Sequence, residues 1–148
     1  METKKISLSQ LAPLIVEELE ADGSFEISIK GTSMLPLLVQ GRDTVVLKKA
    51  DGPLKKYDLP LYRRDDGTYV LHRVVAVKDG KYNMCGDNQW VIEKGIEPSQ
   101  VIGKVCTVNR KGKEIRTDSF GYRLYCRVWQ LLFPVRKYLV KIRGKLSK

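Results

Sequence analysis

The chain carries one histidine and three cysteines, and these scarcities exclude several chemistries. A single His72 cannot build a histidine-rich metal site. Cys85, Cys106 and Cys126 are widely spaced, odd in number and never arranged as Cys-x-x-Cys, so neither zinc nor a disulfide framework is expected, and a reducing compartment fits. No uninterrupted apolar run approaches the roughly 18 residues of a membrane-spanning helix. The opening segment "METKKISLSQLAPLIVEELEADG" lacks a secretory signal, because Glu17, Glu18 and Glu20 interrupt its apolar positions. Acids are missing altogether from Ser119 onward. Internal repeats and low-complexity stretches are absent too.

What is present suits a folded protein. The 148 residues are 43% hydrophobic and 30% charged, enough for one domain with its own core. The net charge of +10 is unevenly spread. Eight cations lie in the acid-free terminal segment, so the chain reads as a near-neutral domain followed by a basic tail.

Ser7 or Ser9 can cap a first helix with Leu11, Leu14, Ile15 and Leu19 on one face, ending at Asp22-Gly23. The period then changes to two. "FEISIKG" places Phe25, Ile27 and Ile29 on one side of a strand, and "DTVVLKK" reads as a second. "DLPLYRR" is a third, which Pro60 should push toward a sheet edge. Asp65-Asp66-Gly67 turns into "TYVLHRVVAV", "KDGK" turns into "YNMCG", and "VIGKVCTVNRKGKEI" supplies a further hairpin. The expected organisation is mainly β: an N-terminal helix (1–24), a small β-domain of short strands (25–116) and a C-terminal basic amphipathic helix (117–148).

In that last segment apolar and aromatic residues recur at three- and four-residue spacing with cations between them, and Pro134 should bend or break the helix. Three readings are open. The helix caps the β-domain with its cations solvated, or lies on an anionic membrane surface, or contacts nucleic acid. The membrane or partner reading rests on Arg123, Arg127, Trp129, Arg136, Lys137, Lys141 and Arg143. Without a base-reading motif, no specific nucleic acid is expected. The protein is expected in the cytoplasm, with peripheral contact at the membrane's inner surface.

Ser33, in "GTSMLPLLVQGRDTVVL", needs a base before its hydroxyl can act as a nucleophile. The one histidine, His72 in "YVLHRVV", titrates in the right range. Lysine serves only when buried and neutral, and Lys30, Lys48 and Lys49 stand in charged surroundings. Four segments in order, "KGTSMLPLLVQGRDTVVL", "YVLHRVV", "YNMCGDNQWVIE" and "VIGKV", resemble the signal peptidase I and LexA-like serine peptidase superfamily. Together they span about residues 27 to 105. The resemblance implies a small β-fold of that type, Ser33 as nucleophile and His72 in the place of the general base. Histidine there is similar to the branch found in archaea, in the eukaryotic endoplasmic reticulum and in some Gram-positive bacteria.

The resemblance also assigns Asp87 to the Gly-Asp-Asn box and aligns Glu93 with the acid that usually completes the triad in the histidine branch. Either would orient the imidazole. Asp87 has a structural alternative, anchoring its turn or pairing with Arg73. Gly31 replaces the serine that often supplies an oxyanion hydroxyl, so backbone N–H groups helped by Thr32 would do that work beside Met34. The membrane anchor that precedes the serine in signal peptidases is missing here. Three functions follow. The first is a serine endopeptidase acting on a leader-type peptide or protein, needing no cofactor or metal. The second is a non-catalytic module of the same fold that binds a membrane or partner. The third is a self-cleaving LexA-like regulator, disfavoured because 32 residues before Ser33 leave little room for a DNA-binding domain.

Overall fold

The computed structural model describes residues 8–146. It is mainly β, with a helix at the N-terminal side, curled antiparallel sheets in the middle and two helices at the C-terminal side. Helix α1 spans Leu8–Glu20 and buries Ala12, Ile15 and Leu19. Ser9 lies within it, and Ser7 lies outside the described residues. Leu14, expected on the inner face, is 55% exposed, because the buried face is centred on the Ala12–Ile15–Leu19 row. The helix stops at Asp22, whose φ of 60° is left-handed. Asp22 N–H reaches the Leu19 carbonyl and Gly23 N–H the Glu18 carbonyl, which satisfies the orphan carbonyls of the last turn.

The larger sheet runs β1 (Phe25–Ser28), β2 (Thr44–Lys48), β8 (Val101–Arg110), β3 (Pro60–Arg63) and β4 (Tyr69–Leu71), with β9 (Lys113–Arg116) also on β8. The smaller sheet is β5 (Arg73–Lys78), β6 (Lys81–Cys85) and β7 (Glu93–Ile96). All pairings are antiparallel. Strand β3 is interior, not an edge: it pairs with both β4 and β8. Pro60 is tolerated because it is the strand's first residue, where a missing N–H matters least.

The expected long strand "TYVLHRVVAV" is in fact two. Its chain leaves the larger sheet after Leu71 and joins the smaller at Arg73, so His72 occupies the crossing. The core divides likewise. Ile15, Leu19, Ile27, Val45, Leu61 and Val108 pack in one cluster, which also takes Tyr122 and Cys126 from the C-terminal side. Tyr62, Val74, Tyr82 and Met84 form the second. Gly103 on β8 lets α1 come close, since a Cβ there would stand 2.6 Å from Leu19 Cδ1.

The C-terminal segment forms two helices, α2 (Phe120–Leu131) and α3 (Phe133–Leu146), with the expected break just ahead of Pro134. The break falls at Leu132, whose ψ of 2° is not helical. Pro134, two residues on, has no N–H to donate back to the preceding turn.

Candidate active site

Ser33 lies in the turn that follows β1 and is half-buried. Two neighbours hold this turn in place. Asn88 N–H donates to the Ser33 carbonyl at 2.9 Å, and Asp87 N–H meets Met34 Sδ at 3.5 Å. Gly86 makes that approach feasible, because a Cβ there would lie 2.6 Å from the Ser33 carbonyl oxygen. The Ser-Met-x-Pro and Gly-Asp-Asn segments are therefore docked backbone to backbone. Gly31, with φ of 78°, donates its N–H to Gln40 Oε1, while Thr32 is exposed.

Below the turn, Asp43 of the Gly-Arg-Asp sequence is buried and serves structure. It accepts from Val39 N–H at 2.8 Å, Lys111 N–H at 3.1 Å and the Arg42 guanidinium at 2.8 Å. Burial would raise its pKa, but these donors outweigh burial and hold it down to about 2.

His72 is 5% exposed and lines a cavity of about 480 Å³ together with Met84, Asn88, Trp90, Val91 and Glu93. Asn88 thus joins the two candidate groups: its backbone holds Ser33 and its residue walls the His72 cavity. Burial, reinforced by the Arg64 charge and opposed by Glu93 and Asp87, lowers the His72 pKa to about 4. The imidazole is therefore neutral at pH 7, the form that accepts a proton. No hydrogen bond joins Ser33 Oγ to His72.

The two acids are engaged elsewhere. Asp87 is fully buried and pairs two-pronged with Arg73, Nε to Oδ1 at 2.8 Å and Nη2 to Oδ2 at 3.0 Å. Tyr125 Oη adds a hydrogen bond to Oδ2 at 2.7 Å. The same guanidinium donates to the Tyr57 carbonyl, Tyr122 Oη and Cys126 Sγ. Of the two roles open to Asp87, the structure shows the pair with Arg73. Glu93 accepts from Tyr62 Oη at 2.6 Å and from Arg64 Nε at 3.0 Å. Tyr62 stands edge-on to His72 with ring centroids 6.4 Å apart, so Glu93 reaches the imidazole through Tyr62 and through charge. Neither carboxylate accepts a hydrogen bond from His72.

Three of the residues expected to face a membrane or partner hydrogen-bond to the protein instead. Trp129 Nε1–H donates to the Asp87 carbonyl at 2.6 Å. Arg136 is buried between the Trp129 and Phe133 rings and donates to the carbonyls of Gln89 and Trp129. The cause is aromatic: the Tyr125 ring lies against Arg73, the Trp129 ring stacks on Tyr125, and Arg136 caps the Trp129 ring. Arg143, half-buried, donates to Asn88 Oδ1. Arg123, Arg127, Lys137 and Lys141 are exposed.

Sequence reasoning missed Arg64 and Tyr62, the partners of Glu93. It also missed the Met84, Trp90 and Val91 lining of the cavity. Their signal is weak, because they converge only when β3, β6 and the 86–91 loop come together. Two of the three thiols are disfavoured as competing nucleophiles: burial pushes the Cys85 thiol up to about 11 and raises that of Cys126, while Cys106 is half-buried on β8. Among the described residues no group of three or more His, Cys, Asp or Glu is placed to hold a metal ion. Nor is any helix there long and apolar enough to cross a membrane. No family model matches the chain, and no curated protein or solved structure matches it either.

Proposed function

We propose that the protein is a serine endopeptidase of the signal-peptidase-like type, cleaving a leader-type peptide or a protein. One observation carries the reading: Asn88 ties the Ser33 turn to the wall of the cavity that holds the only histidine. In this mechanism His72 removes the Ser33 Oγ proton as Oγ attacks the scissile carbonyl. The protonated imidazole then passes that proton to the departing amine, and water, activated by the same base, hydrolyses the Ser33 ester. The oxyanion is met by backbone N–H groups of the Ser33 turn. The substrate lies extended beside the short strands that flank the site. The enzyme works from the cytoplasmic side and touches the membrane's inner surface peripherally.

A second reading, a non-catalytic module of the same fold, is favoured by one observation. Both candidate carboxylates are bound to arginines, and neither orients His72. Turnover separates the two readings. Purified protein offered a library of leader-type peptides is expected to cut one, with Ser33→Ala and His72→Ala each reducing the rate by at least about a hundredfold. Cleavage that persists unchanged in Ser33→Ala would falsify the peptidase reading.

A further inference from the structure

Helices α2 and α3 each have two faces. On α2 the inner face carries Tyr122, Tyr125, Cys126 and Trp129, packed on the Arg73–Asp87 pair. At about 100° per residue, the opposite face carries Phe120, Leu124, Val128 and Leu131. That face is open: Phe120 and Leu131 are each 80% exposed. Beyond the break at Leu132, α3 repeats the arrangement. Arg136 is buried, while Val135 and Ile142 are exposed.

Each helix flanks its exposed apolar residues with exposed cations, Arg123 and Arg127 on α2 and Lys137 and Lys141 on α3. Arg123 and Arg127 also line a cleft of about 360 Å³ whose other walls include Lys55, Lys56 and Lys104. The acid in that cleft is Asp58, which lies 3.7 Å from Lys104. An apolar stripe of this length on a soluble face signals a partner. Its charge selects which one. Two copies of this chain joined through it would bring like-charged borders together, since the segment from Ser119 onward contains no acid. A surface both apolar at depth and anionic at its boundary satisfies both features at once, and that is a bilayer with acidic headgroups.

We propose that the outer face of α2 and α3 docks on an anionic lipid bilayer, with Phe120, Leu124, Val128 and Leu131 in the acyl boundary. Arg123 and Arg127 then sit at the headgroups, beside the cleft of Lys55, Lys56 and Lys104. The inference rests on the peripheral-contact reading and is independent of the peptidase chemistry. Docking uses only the outer face, so the inner face continues to brace the loop behind Ser33. That arrangement holds the Ser33–His72 site at the membrane surface.

The test is sedimentation of the full chain with vesicles of phosphatidylcholine alone and of phosphatidylcholine mixed with phosphatidylglycerol. Binding is expected to the mixed vesicles only, and to fall as salt rises. Arg123→Gln with Arg127→Gln should weaken partitioning on the order of tenfold. Phe120→Ser with Leu131→Ser should weaken it at least as much, with thermal melts unchanged because both positions are exposed. Equal binding by these variants, or no binding to the mixed vesicles, overturns the proposal. So does a dimer that dissociates on Phe120→Ser with Leu131→Ser in a protein that ignores vesicles. Ser33→Ala should bind as the parent does, so loss of the peptidase reading alone leaves this surface standing.

Discussion

His72 derives its acid–base character from where the chain crosses between sheets. Burial and Arg64 hold its pKa near 4, well below that of a free histidine. The peptidase reading therefore predicts a kcat/KM profile whose acid limb falls near pH 4; an acid limb near 6.5 would show that the imidazole is solvated. The same shift bears on stability. Because the folded value is below the unfolded one, the contribution of His72 is full above about 6.5 and is lost as pH falls through about 4. Asp43 follows the same rule lower down: its contribution is complete above its ordinary 3.8 and disappears as pH falls toward about 2. Asp43→Asn is expected to cost about 1–3 kcal/mol at pH 7 and much less at pH 2, by urea unfolding. At this scale Ser33, His72 and Asp87 stood out in the sequence as candidates, since each belongs to a local motif. The pair with Arg73 was one of the structural roles open to Asp87, but the other partner was not legible: Tyr125 lies thirty-eight residues away, a distance at which no periodicity speaks.

Secondary-structure elements were legible where apolar alternation was clean. The β1, β2 and β8–β9 segments follow their patterns, and the Asp79-Gly80 turn between β5 and β6 has the two positive φ values expected of a tight hairpin. Strand β7 was missed because "EKGI" carries little apolar signal and owes its pairing to β6. The crossing at His72 was hidden for the opposite reason. "YVLHRVV" has an unbroken strand pattern, and only the second sheet explains why His72 and Arg73 are both buried. The C-terminal helix was legible as amphipathic, but its two apolar faces could not be ranked until one was seen against Arg73. Removing Arg73 from this packing leaves Asp87 buried and unpaired. Arg73→Met is expected to destabilise by about 3–5 kcal/mol, whereas Tyr125→Phe, which deletes one hydrogen bond, should cost about 1–3 kcal/mol. Equal small effects in chemical denaturation would mean that α2 does not depend on the pair.

At the scale of the whole molecule, α2 is part of the core and not an appendage. Tyr122 and Cys126 belong to the same apolar cluster as Ile15 and Leu61, and Trp129 and Arg136 brace the loop that backs Ser33. Deleting residues 119–148 should therefore abolish cooperative thermal unfolding, an outcome unlike the loss of a solvated tail. The uneven charge seen in the sequence acquires a place here, as a border along one exposed apolar face. The central claim, that Ser33 is a nucleophile activated by His72, is tested most directly by phosphonate labelling of the intact protein at pH 7, located by peptide mass spectrometry. The prediction is modification at Ser33 that disappears in Ser33→Ala and slows at least about a hundredfold in His72→Ala. An unmodified Ser33, or labelling that proceeds at the same rate without His72, would contradict it.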